Sequence, residues 1–159
     1  MAAYYVDSSA VVKRYVSEPG STVVREILRV AALHDIHMSE IGGVEVVAAL
    51  ARKGRERDRP SDQFQRAIAE FEQAFDTRWF IVRTTPLLFS QARQLAVRHF
   101  LRGYDAVHLA AALEADRHAA AAGQSRLVLV SADAALNAAA DAEGMRVLDP
   151  TKAPFPSAA

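Results

Sequence analysis

Three aspartates stand where the chain changes direction. Asp7 closes the apolar run AAYYV, Asp133 follows LVLVS, and Asp105 comes just after the RG turn, at the start of a helical stretch. Singly, each is what a helix N-cap looks like, because a carboxylate there accepts free N–H groups and complements the helix dipole. Together they allow another reading. If the runs before Asp7 and Asp133 are parallel strands, their carboxyl ends share one sheet edge, where ligands bind at a switch in strand order. Glu45 adds a fourth carboxylate that capping does not explain. Its neighbours three and four residues away are Ile41, Gly42, Ala48 and Ala49, so it stands on an apolar helix face with no basic partner at pairing distance. An ionised carboxylate buried there is costly unless it is paired, hydrogen-bonded or bound to a metal. Glu40 competes for the role, but it directly follows Ser39, the expected cap, where first-turn acidity ordinarily serves the dipole.

Four oxygen donors of this kind suit a hard cation, Mg²⁺ first and Mn²⁺ as a substitute, better than Zn²⁺. Such an ion acidifies a bound water and neutralises charge on a phosphoryl group, so the expected chemistry is metal-assisted phosphoryl transfer without a protein nucleophile. The absence of cysteine removes disulfides, thiol nucleophiles and thiolate-held zinc together. His108, three residues after Asp105, could join it on one helical face, but Val107 and Leu109 make it part of a core helix. His34 and His37 flank a strand without an acidic or cysteine motif, and ordinary hydrogen-bonded histidines suffice there.

The elements that must position these residues alternate along the chain. AAYYVD reads as a strand running into the helix SSAVVKRYV, which EPGS breaks. TVVREILRVAALHD forms a second helix, with Val23, Val24, Ile27, Leu28 and Leu33 in one stripe, before a brief strand from His34 to Met38. Ser39 caps the helix SEIGGVEVVAALARK, and GRERDRP separates it from a helix beginning near Ser61. That helix carries Phe64, Ile68, Phe71 and Phe75 along one face, most simply core or an intersubunit surface. WFIVRTT, RLVLVSAD and MRVLDP read as strands between further helices. Strands separated by helices imply a central, mostly parallel sheet covered on both faces, a three-layer α/β/α sandwich.

A chain of 159 residues with 51% hydrophobic content fits one domain, expected over residues 1–150, with residues 151–159 as an extended tail. Nineteen basic residues balance nineteen acidic ones, which argues against a nonspecific duplex-coating protein. It does not exclude a nuclease, whose carboxylates offset basic residues elsewhere. Arg52, Lys53, Arg55, Arg57 and Arg59 form a basic patch, read first as solvated surface and second as a contact for RNA phosphates or an acidic partner. No stretch reaches the roughly 18 apolar residues of a membrane span and no basic leader precedes an apolar core, so a soluble, cytoplasmic protein is expected.

The segments YYVDSSAVVKRYVSEPGS, SEIGGVEVVAALAR, GYDAVHLAAAL and LVLVSADAALNAAADAEGMRVLDP resemble, in order, the motifs of PIN-domain toxins of the VapC group, from Tyr4 to Pro150. By position, Asp7, Glu45, Asp105 and Asp133 match the acidic quartet of that family, and Ser8 and Ser131 match neighbouring hydroxyl positions. The family often has threonine at those two positions, so the hydroxyl is kept and the methyl is lost.

The resemblance implies an endoribonuclease that hydrolyses phosphodiester bonds in single-stranded or loop RNA, leaving a 5′-phosphate and a 3′-hydroxyl. It also implies a VapB-type antitoxin partner and a homodimer. Asp7, Glu45 and Asp105 would be direct or water-bridged metal ligands, Asp133 would complete or orient a second-metal side, and Ser8 and Ser131 would orient carboxylates. The competing reading is a non-catalytic binding module of the same fold. A phosphoacceptor receiver domain and a DxD-type phosphohydrolase both fail at Asp7, which is followed by Ser8 and Ser9 instead of a second acidic residue.

Overall fold

The computed structural model describes residues 2–29, 34–56 and 61–152. In chain order the elements are β1 (Ala2–Val6), α1 (Ser8–Tyr15), α2 (Ser21–Arg29), β2 (His34–Ser39), α3 (Glu40–Glu56) and α4 (Ser61–Thr77). They continue with β3 (Phe80–Val82), α5 (Pro86–His99), α6 (Gly103–Ala121), β4 (Val128–Val130), α7 (Ala134–Ala142) and β5 (Arg146–Leu148). The sheet order is β3-β2-β1-β4-β5 and every pairing is parallel, one step beyond the mostly parallel sheet expected. Strand order reverses beside β1, because the chain builds outward through β2 and β3 and then returns to place β4 on the other side.

The period-2 alternation of the strands divides the interior into two cores. Ala3, Tyr5 and Leu129 face α5, α6 and α7, whereas Val6, Ile36, Met38 and Val130 face α1 to α4. This is the three-layer arrangement. Phe64 and Phe71 are buried in the second core and Ile68 and Phe75 pack against it, so the stripe on α4 is largely core. Helix α6 is buried without interruption from Ala106 to Ala112, as expected of a helix covered on more than one side. Its alanines let α5 and the sheet approach closely.

Strands β3, β4 and β5 each cover only three residues within the runs that suggested them, β3 and β5 at the sheet edges and β4 beside β1. Thr151 and Lys152 lie in a turn, while the rest of the expected tail lies outside the described residues, as do Leu33, Arg57 and Arg59.

One buried carboxylate fastens the strand that completes the site. Asp116 on α6 accepts the Leu127 N–H at 2.8 Å, and its two oxygens accept Arg126 Nε at 2.9 and 2.7 Å. Burial favours the neutral acid, but the Arg126 and Leu127 donors outweigh it and hold the pKa below the usual carboxylate range. A depressed folded-state pKa stabilises above the unfolded value and ceases to do so as pH falls through the folded one. Asp116→Asn is therefore expected to cost about 1–2 kcal/mol near neutrality. In urea unfolding, its deficit relative to the wild type should shrink toward the acid limit; a deficit that does not change with pH would remove the ionised carboxylate from this account.

Candidate active site

The reversal of strand order places Asp7 and Asp133 at one sheet edge. Asp7 follows β1 and its N–H donates to Val130 O of β4 at 3.2 Å, so the two strand ends are stitched together there. Asp7 is 3% exposed and well supplied with donors. Its Oδ1 accepts the Ala10 N–H at 2.9 Å, Ser9 Oγ lies 2.9 Å from both oxygens, and Ser131 Oγ donates to Oδ2 at 3.0 Å. Ser131 Oγ in turn accepts the Asp133 N–H at 3.0 Å, and Asp133 Oδ1 caps α7 through the Leu136 N–H at 2.9 Å. Both aspartates are thus true caps, and this does not separate them from a shared site.

The hydroxyls differ from expectation in one respect. Ser9, not Ser8, reaches the Asp7 carboxylate, because it sits within the first turn of α1 where a short side chain folds back toward the cap. Ser8 lines the adjoining cleft instead. Ser9 Oγ also accepts the Ala132 N–H at 3.1 Å, tying the first turn of α1 to the loop after β4.

Asp105 lies in the first turn of α6, with Arg102 Nε 4.0 Å from its carboxylate. Burial raises its pKa, the negative charges of Asp133 and Asp7 raise it further, and Arg102 and His108 act the other way. Burial also raises the pKa of Asp7 against the influence of His108 and of the hydrogen bonds. The negative charges of Asp133 and Asp7 thus reinforce burial in opposing the ionisation of Asp105.

Glu45 finds the partner that its own helix lacks. His108 on α6 is 2% exposed, with Nε2 2.5 Å from Glu45 Oε2. Its Nδ1 lies 3.0 Å from Tyr5 Oη and 3.3 Å from Ser39 Oγ. Burial pushes the Tyr5 pKa far up, so its phenol keeps its proton and donates to Nδ1. The network then assigns the imidazole proton to Nε2, facing Glu45. His108 is the core residue its helix suggested, with this added role toward the acidic cluster. Glu40 is engaged elsewhere, accepting from Thr84 N at 3.1 Å and Thr84 Oγ1 at 2.8 Å.

The close approach of α3 to α6 depends on Gly42. A Cβ there would lie 2.5 Å from Met38 Cε and 3.0 Å from His108 Cε1. Gly42→Ala is expected to cost about 1–3 kcal/mol through overpacking, despite the better helix propensity of alanine. Thermal unfolding tests this, and an unchanged or raised Tm would show that the contact relaxes freely.

Among the described residues, no group of three His, Asp or Glu side chains is arranged as they lie to hold a metal ion. The donor set nonetheless suits a hard cation in its chemistry, because Asp7, Glu45, Asp105 and Asp133 offer carboxylate oxygens and no thiolate is present. Beside them opens a cleft of about 600 Å³, with Ser8, Ser9 and Glu45 in its wall and Lys13, Arg52 and Lys53 among its other lining residues.

The sequence alone does not point to Tyr5 or Ser9, and it gives Ser39 only as a helix cap and His108 only as a core residue. The alternation of β1 puts Tyr5 on the face covered by α6, but only the packed structure shows its hydroxyl meeting His108.

A PIN domain profile matches residues 4–142. The chain is 35% identical over 161 aligned residues to ribonuclease VapC45 of Mycobacterium tuberculosis CDC 1551 and, equally, to ribonuclease VapC49 of strain H37Rv. Each alignment spans 94% of this chain and 100% of the relative. Among solved structures, PAE2754 of Pyrobaculum aerophilum is similar at a TM-score of 0.57 and 21% identity, over 92% of this chain and 89% of that one. VapBC2 of Rickettsia felis, solved with a DNA fragment of its promoter, is similar at 0.55 and 14%, over 92% and 97%. On the profile match and the VapC relatives, the chain belongs to the PIN domain family.

Proposed function

We propose that the chain is a metal-dependent endoribonuclease, the toxin of a toxin–antitoxin pair, which hydrolyses RNA phosphodiester bonds. The observation that carries this reading is the joining of Asp7 and Asp133 through Ser131 at the β1/β4 switch point, near enough to Asp105 for their charges to act on it, with Glu45 in the adjoining cleft. The relatives named ribonuclease VapC support the substrate class. Bound by Asp7, Glu45 and Asp105, with Asp133 beside them, Mg²⁺ or Mn²⁺ would supply an acidified water and neutralise phosphoryl charge. The chain's own residues do the positioning. Ser9 and Ser131 fix the plane of the Asp7 carboxylate, and His108 fixes Glu45 from behind.

A second groove suits an antitoxin segment. The groove between α3 and α4 has Phe71, Phe75 and Val47 among its apolar lining and Glu40, Glu72 and Asp76 among its acidic residues, suited to a segment that is apolar and basic. A homodimer is supported by α5, which leaves Phe89, Val97 and the following Phe100 exposed at helical spacing. Among the described residues, no helix is long and apolar enough to cross a membrane.

The test is incubation of the purified, partner-free protein with RNA in Mg²⁺ or Mn²⁺. Cleavage is expected with either ion and is expected to stop in excess EDTA. Undiminished cleavage in EDTA overturns the mechanism, and RNA binding without cleavage by any divalent ion favours the non-catalytic module.

A further inference from the structure

The SEPGS segment between α1 and α2 does more than end a helix. Ser21 Oγ donates to Val16 O at 2.8 Å and accepts the Glu18 N–H at 2.9 Å, while the Ser21 N–H bonds Glu18 O at 3.0 Å. Gly20 closes the turn at φ 88°, where a Cβ would lie 2.9 Å from the Pro150 backbone. What this fixed turn presents is Glu18. Its two oxygens are divided between Lys13 of α1 and Lys53 of α3, each at 3.3 Å.

Lys13 is only 8% exposed, a burial that lysine rarely tolerates unpaired. One carboxylate shared by two ammonium groups leaves positive charge over, and Arg52 lines the same cleft. Asp7 precedes Lys13 by six residues, about 9 Å along a helix axis, and Glu45 precedes Lys53 by eight, about 12 Å. The cleft therefore has an acidic end and a basic end. Glu18 also has an electrostatic task. Without it, two flexible ammonium stems would be drawn toward the carboxylates of Asp7 and Glu45 and would neutralise them.

We propose that Lys13 and Lys53, held apart from the acidic cluster by the positioning residue Glu18, bind a phosphate of single-stranded RNA neighbouring the one at the acidic end. This rests on the ribonuclease reading. Ammonium groups suit the task because a flanking phosphate is recognised by charge and fixes register without reading sequence. RNA is favoured over an acidic protein segment because Ser8, Ser9 and Glu45 line the same continuous cleft.

The experiment measures binding of a fluorescein-labelled, mixed-sequence single-stranded oligoribonucleotide by anisotropy, in EDTA and across a salt series. Lys53→Gln, at a partly exposed position that tolerates change, is expected to weaken binding about tenfold and to lower the slope of log K against log salt by about 0.7. Lys13→Gln should do the same if it folds, and Lys53→Arg should retain both affinity and slope. Glu18→Gln separates positioning from bulk charge. Removing a negative charge should by itself strengthen RNA binding, whereas loss of positioning weakens it.

Unchanged affinity and slope in a Lys53→Gln protein that melts like the wild type overturns the phosphate site, as does a wild type without salt-dependent binding. Tighter binding by Glu18→Gln overturns the role of Glu18. Loss of binding to an acidic peptide with RNA binding intact would assign the lysines to a protein partner and overturn the proposal. A wild type that shows the lysine-dependent slope but cuts no RNA with Mg²⁺ keeps this site and overturns the nuclease reading. One that cuts RNA while Lys53→Gln is neutral does the reverse.

Discussion

Asp7→Asn, Glu45→Gln and Asp105→Asn are each expected to lower Mg²⁺-dependent RNA cleavage by at least about a hundredfold while the fold persists, since metal stabilisation of the transition state is worth several kcal/mol. Asp7 allows the sharpest form of this test. Asparagine keeps an acceptor for the Ala10 N–H, and the hydroxyls of Ser9 and Ser131 can turn to accept from its amide. It also removes a charge whose burial is unfavourable. Without metal, Asp7→Asn should therefore melt at or above the wild-type temperature. Asp7→Ala, which strands those donors, should lose about 1–3 kcal/mol. Mg²⁺ should raise wild-type stability by RT ln(1 + [L]/Kd), and both variants should lose most of that increment. Full activity in a folded variant, or a full Mg²⁺ response in Asp7→Asn, would take that residue out of the proposed site.

His108→Leu is expected to lower stability by about 3 kcal/mol, or about 6–12 °C in Tm for a chain of this size. Leucine fills much of the space but leaves the Tyr5 hydroxyl without its acceptor in a fully buried setting, and leaves Glu45 without its donor. His108→Gln offers an amide to Glu45 and a carbonyl toward Tyr5, and should recover part of both stability and cleavage. If the leucine variant is as stable as the wild type and the glutamine variant recovers nothing, the network is incidental and His108 acts only through its volume.

The acidic positions were legible because each stands at a boundary that sequence marks well: an apolar run ending in Asp7, another followed by Asp133, a turn before Asp105. Their multiple bonds were not legible. Cap and cluster are not alternatives here, since Asp7 and Asp133 cap helices at the same edge where their charges act on Asp105. Ser9 and Ser8 are adjacent and of one type, and only the turn of α1 decides which hydroxyl folds back. His108 and Glu45 are 63 residues apart on helices whose proximity depends on the missing side chain of Gly42, a steric fact without a periodicity to announce it. In the sequence the EPGS motif is only punctuation, because its glycine and proline dominate the local signal, while Glu18 discloses its partners only once α1 and α3 lie side by side.

The pairing of β1 with β4 has a consequence for the order of events during synthesis. Asp7 is synthesised well before the backbone and hydroxyl that seat it, which belong to Val130 and Ser131, and Ser131 Oγ is 124 positions downstream of its partner. Until that late strand docks, the middle of the sheet has an open edge and the first carboxylate has neither its burial nor its orientation. The proposed site can therefore assemble only after β4 and the loop that follows it have been made and have docked beside β1.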